Sequence, residues 1–175
     1  LVLELCGRGS LKKVLGERRS DLANPPTPAE LAGYGHHAAL ALAFLEDCRV
    51  LHRDVAARNV LVTDAMVCKL GDFGLSRHAG TSDYYRRGAT SAPIPIRWMA
   101  PEVLTHNLFT TESDRWSLGV LLWEIFSVGA RPYPGVPNHQ IVRHLDEGHR
   151  LGRPQLCPTE VYAAMQGCWA ASPQL

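Results

Sequence analysis

The residues best suited to chemistry in this sequence lie in one short stretch. His-Arg-Asp at residues 52–54 is followed by Asn59, and Asp-Phe-Gly comes next at residues 72–74. Mg²⁺ takes oxygen ligands and usually shares its coordination shell with phosphate and water. Asp72 and the amide oxygen of Asn59 therefore suit a Mg²⁺ ion, while Asp54 suits a group that accepts or orients a hydroxyl proton. Together these residues fit the transfer of a metal-bound phosphate to a hydroxyl group.

Short apolar runs flank these polar residues and predict the strands that would position them. The runs are Val50–Leu51, Val60–Val62 and residues 66–70. Any one of the polar residues, taken singly, is better explained as an ordinary Asp or Asn in a turn at a strand end. Their occurrence together and in this order favours a site.

Helices are predicted for much of the remaining chain. Ser10 is a candidate N-cap for a first helix. Thr27, with Pro28 at the first helical position, marks the start of a second helix that extends to Cys48. The polar, proline-rich stretch at residues 16–28 is predicted to be a surface loop.

The most apolar helix is predicted to begin at Ser113 or Asp114 and to end at Gly129. Because apolar residues occur nearly all round this helix, we expect it to be buried in the core. Two further helices are predicted around residues 138–146 and 159–169.

Composition limits the classes of protein that the chain can represent. Its 175 residues, 46% of them apolar, with a net charge of +1, suit one globular domain and do not indicate a nucleic-acid partner. Five cysteines without paired C-x-x-C spacing favour a reducing compartment, hence a cytoplasmic location, over a disulfide framework. No apolar run is long enough for a membrane span, and no signal peptide is visible. His36 and His37 are adjacent, so they point to different faces of their helix and do not indicate a metal site.

The stretch at residues 52–74, with Ala-Pro-Glu at residues 100–102, resembles the catalytic and metal-binding loops of a protein kinase. The resemblance covers residues 1–175 and implies the C-terminal lobe of a kinase domain with its hinge. The implied fold class is α+β and predominantly α-helical, with short β-strands at the catalytic and metal-binding loops. The implied cofactors are ATP and Mg²⁺.

The resemblance also implies a role for individual residues. Asp54 would be the catalytic base, assisted by Arg58, while Asn59 and Asp72 would hold Mg²⁺. Asp114 would hydrogen-bond the backbone of the His-Arg-Asp triplet. The residues with implied structural or regulatory roles are His52, Arg53, Phe73, Gly74, Glu102 and Asp114.

Two features resemble tyrosine kinases in particular. Ala-Ala-Arg at residues 56–58 is more similar to receptor-type kinases than to cytoplasmic Src-like kinases, and a guanidinium at Arg58 suits planar hydrogen bonding to a substrate phenol. Pro95 and Trp98 resemble the floor on which a substrate tyrosine rests, where proline holds the backbone extended. The implied partners are protein substrates with tyrosine hydroxyls. Any membrane attachment would lie in segments outside this chain.

The first residues resemble the segment that joins the two lobes of a kinase and contacts the adenine ring. Leu3 would take the gatekeeper position, the backbone of Glu4 and Cys6 would hydrogen-bond adenine, and Gly9 would leave room for the ribose. Leu61 would pack under the adenine ring, although the same residue also fits an ordinary core leucine. The cofactor-binding residues implied in this way are Leu3, Glu4, Cys6, Gly9, Leu61, Asn59 and Asp72.

The polar segment at residues 78–94 resembles a kinase activation loop, and we expect it to be mobile. Tyr84 and Tyr85, followed by two arginines, resemble the paired tyrosines of insulin-receptor-like and neurotrophin-receptor-like kinases. Phosphate on these tyrosines would pair with Arg53 and nearby arginines.

The Gly-rich loop, strand lysine and helix glutamate of a kinase N-terminal lobe are not found in these 175 residues, and neither is the arginine that pairs with Glu102. We therefore expect a fragment of a longer tyrosine kinase that has negligible activity when made alone. One alternative is a catalytically inactive half-kinase that acts as a binding or regulatory module. Another is a structural helical domain without nucleotide chemistry. The acids and amide at residues 54, 59 and 72 favour the first interpretation, because a scaffold needs none of them.

Overall fold

The computed structural model of the protein describes residues 4–78 and 94–170, and between them the backbone of residues 84–86. The described residues form six α-helices and seven short strands, so the predominantly helical α+β prediction is confirmed. The helices are α1 (Leu11–Ser20), α2 (Pro28–Asp47), α3 (Pro101–His106), α4 (Thr111–Phe126), α5 (Ile141–Asp146) and α6 (Thr159–Cys168). The strands are β1 (Gly9–Ser10), β2 (Val50–Leu51), β3 (Val60–Val62), β4 (Cys68–Leu70), β5 (Arg77–His78), β6 (Tyr84–Arg86) and β7 (Leu108–Thr110).

Helix α4 lies at the centre of the core and packs against α2 on one side and α6 on the other. Two glycines allow these close approaches. A Cβ atom at Gly35 of α2 would lie 2.7 Å from Cδ2 of Leu122, and one at Gly119 of α4 would lie 2.6 Å from Nε1 of Trp169. Gly35 therefore lowers the helix propensity of α2 but allows it to pack against α4.

Two of the predicted helix starts are confirmed and one is wrong. The side chains of Ser10 and Thr27 accept hydrogen bonds from the third residue of α1 and α2, as predicted. Helix α4, in contrast, is capped by Thr110, whose side chain accepts from the backbone N–H of Ser113 while its own backbone N–H donates to the Ser113 side chain, as in a capping box. The predicted caps, Ser113 and Asp114, lie inside the first turn. Asp114 is thereby available for a different partner.

The prediction of a loop over residues 16–28 is wrong for its first part, because α1 continues to Ser20. Arg18 and Arg19 lie in its last turn, where cations interact favourably with the helix dipole. Arg18 donates two hydrogen bonds to the carboxylate of Glu30 on α2, at 3.2 and 2.8 Å. Arg19 donates to the carbonyl oxygen of Val128. Tertiary contacts thus hold a turn that local propensity does not predict.

The strands form three small antiparallel sheets that position the loops between helices. β3 is the central strand of the first sheet, between β1 and β4, while β2 pairs with β5 and β6 pairs with β7. Within the described ranges, no helix is both long and apolar enough to cross a membrane. All five cysteines are free thiols.

Candidate active site

His52 connects the two loops that carry the predicted catalytic and metal-binding residues. Its ring nitrogen Nε2 lies 3.0 Å from the carbonyl oxygen of Gly71, and its Nδ1 accepts a hydrogen bond from the backbone N–H of Asp54 at 3.3 Å. These partners fit a neutral imidazole that is protonated on Nε2. Burial lowers the pKa of His52, which also favours the neutral form. The residue therefore fixes the start of one loop to the start of the other.

Both carboxylate oxygens of Asp54 are oriented by neighbouring side chains. Oδ1 accepts from the guanidinium of Arg58, and Oδ2 accepts from the amide nitrogen of Asn59 at 2.7 Å. The same Asn59 nitrogen donates to the backbone oxygen of Asp54 at 2.8 Å. Because this amide uses its nitrogen for both bonds, its oxygen is the atom suited to bind a cation.

Asp72 follows β4 in the left-handed region, at φ 59° and ψ 69°, and its side chain is exposed. One carboxylate oxygen accepts from the N–H of Gly74 at 3.3 Å. The N–H of Gly71 donates to the backbone oxygen of Asn59 at 2.8 Å, so the two loops are joined at this point. The ring of Phe73, which is 49% exposed, lies 5.2 Å from that of His52.

The donors at this site fit Mg²⁺ that is shared with phosphate. One carboxylate and one amide oxygen, from Asp72 and Asn59, are oxygen ligands, and they would leave positions for substrate and water. Across residues 4–78 and 94–170, no group of three or more His, Cys, Asp or Glu side chains could hold a metal ion without help.

Asp114 supports the loop that begins at His52. It is 3% exposed, and its two oxygens accept the backbone N–H groups of His52 at 2.6 Å and Arg53 at 2.8 Å. Burial raises the pKa of Asp114 to about 6, although both hydrogen bonds act in the opposite direction. The structure thus places Asp114 where the resemblance implied. The backbone that it holds includes Arg53 at φ 70°, a conformation that non-glycine residues rarely adopt.

Arg53 lies beside the strand pair that contains the two adjacent tyrosines. It donates to the carbonyl oxygen of Leu75 at 3.0 Å, and its guanidinium lies 4.1 Å from the ring centroid of Phe109. In the β6–β7 pair, Tyr85 is directly opposite Phe109, and Tyr84 is opposite Thr110. The tyrosine side chains lie outside the described residues, and so do most of the neighbouring loop residues. The predicted mobility of that loop stays a prediction.

Pro95 and Trp98 form a rim beside the catalytic loop. Pro95 precedes a short 3₁₀ helix that ends at Trp98, and the guanidinium of Arg58 lies 4.5 Å from the Trp98 ring centroid. A cavity of about 430 Å³ borders this rim. The buried Arg97 donates to the backbone oxygens of Pro132 at 2.7 Å and Tyr133 at 2.8 Å, which holds the rim against the loop that follows α4.

Glu124 of α4 was not predicted as a site residue. It is 2% exposed, and its oxygen Oε2 accepts from the backbone N–H of Ala57 at 3.0 Å and from Nε1 of Trp98 at 2.7 Å. Burial raises the pKa of Glu124, and the two hydrogen bonds oppose that shift. The sequence signal that could have identified Glu124 is a carboxylate within the apolar run of α4, because a buried charge needs partners.

Two of the predicted adenine-binding residues, Gly9 and Leu61, lie on the β1–β3–β4 sheet. Leu61 is 37% exposed, while Val60 and Val62 on either side are buried, so the interpretation as an ordinary core leucine is wrong. Gly9 has φ 76°, and its N–H donates to the carbonyl oxygen of Cys6 at 3.1 Å. A Cβ at position 9 would meet only Lys13, at 3.8 Å, so lack of space is not the reason for glycine here. The reason is the turn conformation, which glycine adopts readily.

Glu4 and Glu102 are two further residues that the sequence predicted. The side chain of Glu4 pairs with Lys69 on β4. Leu3 lies outside the described residues. Glu102 makes no ion pair within the described part of the chain, and burial raises its pKa.

Comparison with known proteins gives a consistent result. The model of the protein tyrosine and serine/threonine kinase family matches residues 1–175. A fibroblast growth factor receptor of Ciona intestinalis is 42% identical to this chain, and the match covers 99% of the length of this chain. Tyrosine-protein kinase Srms of Mus musculus is 41% identical, also over 99%. The chain spans 25% of the length of the receptor and 34% of the length of Srms.

Proposed function

The chain belongs to the protein tyrosine and serine/threonine kinase family, and on this premise we propose that it takes part in the transfer of the γ-phosphate of ATP to tyrosine hydroxyls in proteins. The observation that carries the proposal is the position of Asp54. Its carboxylate is held by Arg58 and Asn59, and Arg58 also lies against Trp98 of the rim. A phenol that rests on this rim would have its hydroxyl beside a carboxylate.

Each residue of the catalytic loop has a defined task in this proposal. Asp54 accepts the phenolic proton as the hydroxyl oxygen attacks the γ-phosphorus of ATP and ADP leaves, and Arg58 keeps the carboxylate in the required orientation. Asn59 and Asp72 would hold Mg²⁺, which, when bound, supplies charge neutralisation for the phosphates of ATP. His52 holds the loops of Asp54 and Asp72 in register through hydrogen bonds at both ring nitrogens.

The exposed face of the β1–β3–β4 sheet is the proposed adenine-binding surface. Leu61 offers an exposed apolar side chain there, which suits an aromatic ring. Backbone groups of Glu4 and Cys6 would hydrogen-bond the adenine edge, and Leu3 and Gly9 would border it. The free cysteine thiols support a cytoplasmic location, either in a cytoplasmic kinase or in the cytoplasmic part of a plasma-membrane receptor.

The direct test is phosphate transfer by the natural protein that contains these residues, with Mg²⁺ and ATP. We expect a tyrosine peptide to be phosphorylated and the same peptide with serine in its place to react at least about a hundredfold more slowly, because a short side chain on the rim would not bring its hydroxyl to Asp54. Mass spectrometry of both peptides measures this. Equal rates would contradict tyrosine specificity.

The same assay separates the proposal from its alternative, a catalytically inactive binding module. The 175-residue polypeptide made alone is expected to show negligible turnover, because its sequence holds no Gly-rich loop or strand lysine to bind the phosphates. If the natural protein is equally inactive yet binds a tyrosine peptide, the binding-module interpretation replaces the kinase interpretation.

Tyr84 and Tyr85 are the proposed sites of autophosphorylation. Each phosphate would add about two negative charges near neutral pH. The register of β6 and β7 places Tyr85 opposite Phe109, whose ring lies against the Arg53 guanidinium, so the backbone arrangement supports pairing of a phosphate with this cation. We expect phosphopeptide mapping of active protein to find at least one of the two tyrosines modified. Absence of phosphate from both would contradict this part of the proposal.

A further inference from the structure

Glu124 connects the rim to the loop that carries Asp54. One carboxylate oxygen, Oε2, accepts both the backbone N–H of Ala57 at 3.0 Å and the indole N–H of Trp98 at 2.7 Å. Because Glu124 is 2% exposed, water is poorly placed to replace this acceptor. The positions of a catalytic-loop amide and of a rim side chain therefore depend on the same buried oxygen.

The indole that Glu124 holds also contacts Arg58. The guanidinium of Arg58 lies 4.5 Å from the Trp98 ring centroid and pairs with the carboxylate of Asp54. A guanidinium is attracted to the face of an aromatic ring, so the orientation of the ring affects where the cation lies. Ala57 is adjacent to Arg58 in the chain, so Glu124 acts on Arg58 from the backbone as well as from the rim.

We propose that Glu124 is a positioning residue for phosphate transfer, which orients Trp98 and Ala57 and thereby aligns the substrate rim with Asp54. The inference rests on the proposed function, because it concerns the alignment of a tyrosine with its base. Glu124 does not touch the reacting atoms, and it acts through the hydrogen bonds that its oxygen accepts.

Three variants separate these bonds from the bulk and charge of Glu124. Glu124→Leu removes the acceptor and leaves two buried donors unpaired. Glu124→Gln keeps one oxygen that can accept both bonds but removes the charge. Trp98→Phe keeps an aromatic face for Arg58 and removes the indole N–H.

Trp123→Phe is the matched control. Trp123 is the preceding residue of α4, and its indole N–H donates to the carbonyl oxygen of Gly152 at 2.9 Å, away from the rim. The control thus removes a hydrogen bond of the same kind from the same helix. The stability of Trp123→Phe therefore measures the effect of losing such a hydrogen bond when the rim is not displaced.

The experiment measures KM for a tyrosine peptide, kcat and KM for ATP in the natural protein. For Glu124→Leu and for Trp98→Phe we expect kcat/KM for the peptide to fall about ten- to hundredfold, the range that loss of a hydrogen bond to a charged group produces. KM for ATP should stay within about twofold, and Glu124→Gln should recover activity to within about threefold of wild type. In protein that already carries Trp98→Phe, Glu124→Leu should reduce kcat/KM for the peptide by a smaller factor than it does in wild type, because the two residues share one hydrogen bond.

A readout without catalysis tests the same inference. In protein labelled with ¹⁵N-tryptophan, the Trp98 indole proton should exchange with solvent slowly in wild type and in Glu124→Gln, and at least about tenfold faster in Glu124→Leu. If Glu124→Leu does not fold, the Trp98→Phe kinetics and the Glu124→Gln exchange rate carry the test.

Two results would overturn the inference. One is an equal loss of kcat/KM in Trp123→Phe and in the rim variants, which would reduce Glu124 to a stability role. The other is slow exchange of the Trp98 indole proton in Glu124→Leu. If wild type transfers no phosphate to tyrosine, the proposed function fails, and the exchange measurement still decides whether Glu124 positions Trp98.

Discussion

Asp54→Asn is expected to reduce phosphate transfer to tyrosine by about 10²- to 10⁴-fold, the contribution of a well-placed general base. An asparagine side chain has nearly the same shape and can still accept a hydrogen bond from Arg58 or from Asn59. It cannot take up a proton from the substrate. The backbone N–H and C=O of residue 54 keep their bonds to His52 and Asn59, so the loop should retain its conformation.

The loss in Asp54→Asn should therefore appear in kcat and not in the fold. Single-turnover rates with saturating ATP and peptide measure the chemical step, and thermal unfolding measures the fold. Asp47→Asn is a suitable control, because Asp47 is exposed at the last position of α2 and the chemical change is identical. A variant at position 54 that retains more than about a tenth of the wild-type rate would exclude Asp54 as the base.

The contacts at the site that could be predicted from the sequence are those set by short stretches of chain. His52, Asp54 and Asn59 lie within one loop, and short apolar runs fix the ends of that loop. Residue spacing along such a loop limits which side chains can meet, so the contacts of Asn59 with Asp54 follow from local geometry. In contrast, no local signal in the sequence specified the strand pairing that places Leu61 between Ser10 and Lys69.

The parts that the sequence did not predict depend on contacts between distant residues. Glu124 bonds to Ala57, which is far from it in the chain, and only the packing of α4 against the loop brings them together. The end of α1 depends in the same way on Arg18 and Glu30. At the start of α4, the sequence predicted Ser113 or Asp114 as the cap and the structure has Thr110, because propensity alone does not decide between neighbouring polar residues.

Asp114→Ala is expected to have the largest effect on stability of any single change near the site. It leaves two buried backbone N–H groups, those of His52 and Arg53, without an acceptor. Each unpaired buried donor costs about 1–3 kcal/mol, so the free energy of unfolding should fall by about 2–6 kcal/mol. Urea unfolding of the natural protein measures this change. Ser76→Ala is a control, since it removes only one 3.3 Å bond to the backbone oxygen of His52.

The pH dependence of Asp114 gives a second, independent test. Burial raises its pKa from an ordinary value of 3.8 to about 6, so the folded protein binds this proton more tightly than the unfolded chain does. The stability that results is present below pH 4 and is lost as pH rises through about 6. It amounts to about 3 kcal/mol at most, from a shift of about two pH units.

The variant Asp114→Asn isolates this contribution, because asparagine resembles the protonated acid and does not titrate. His52 has a lowered pKa and therefore adds stability as pH rises towards 6.5, but it is present in both proteins and cancels in the difference. We expect the stability of wild type relative to Asp114→Asn to decrease between pH 4 and pH 6.5. An increase over that range would mean that the bonds from His52 and Arg53 outweigh the cost of burying the Asp114 carboxylate, and that its pKa is lowered in the folded protein.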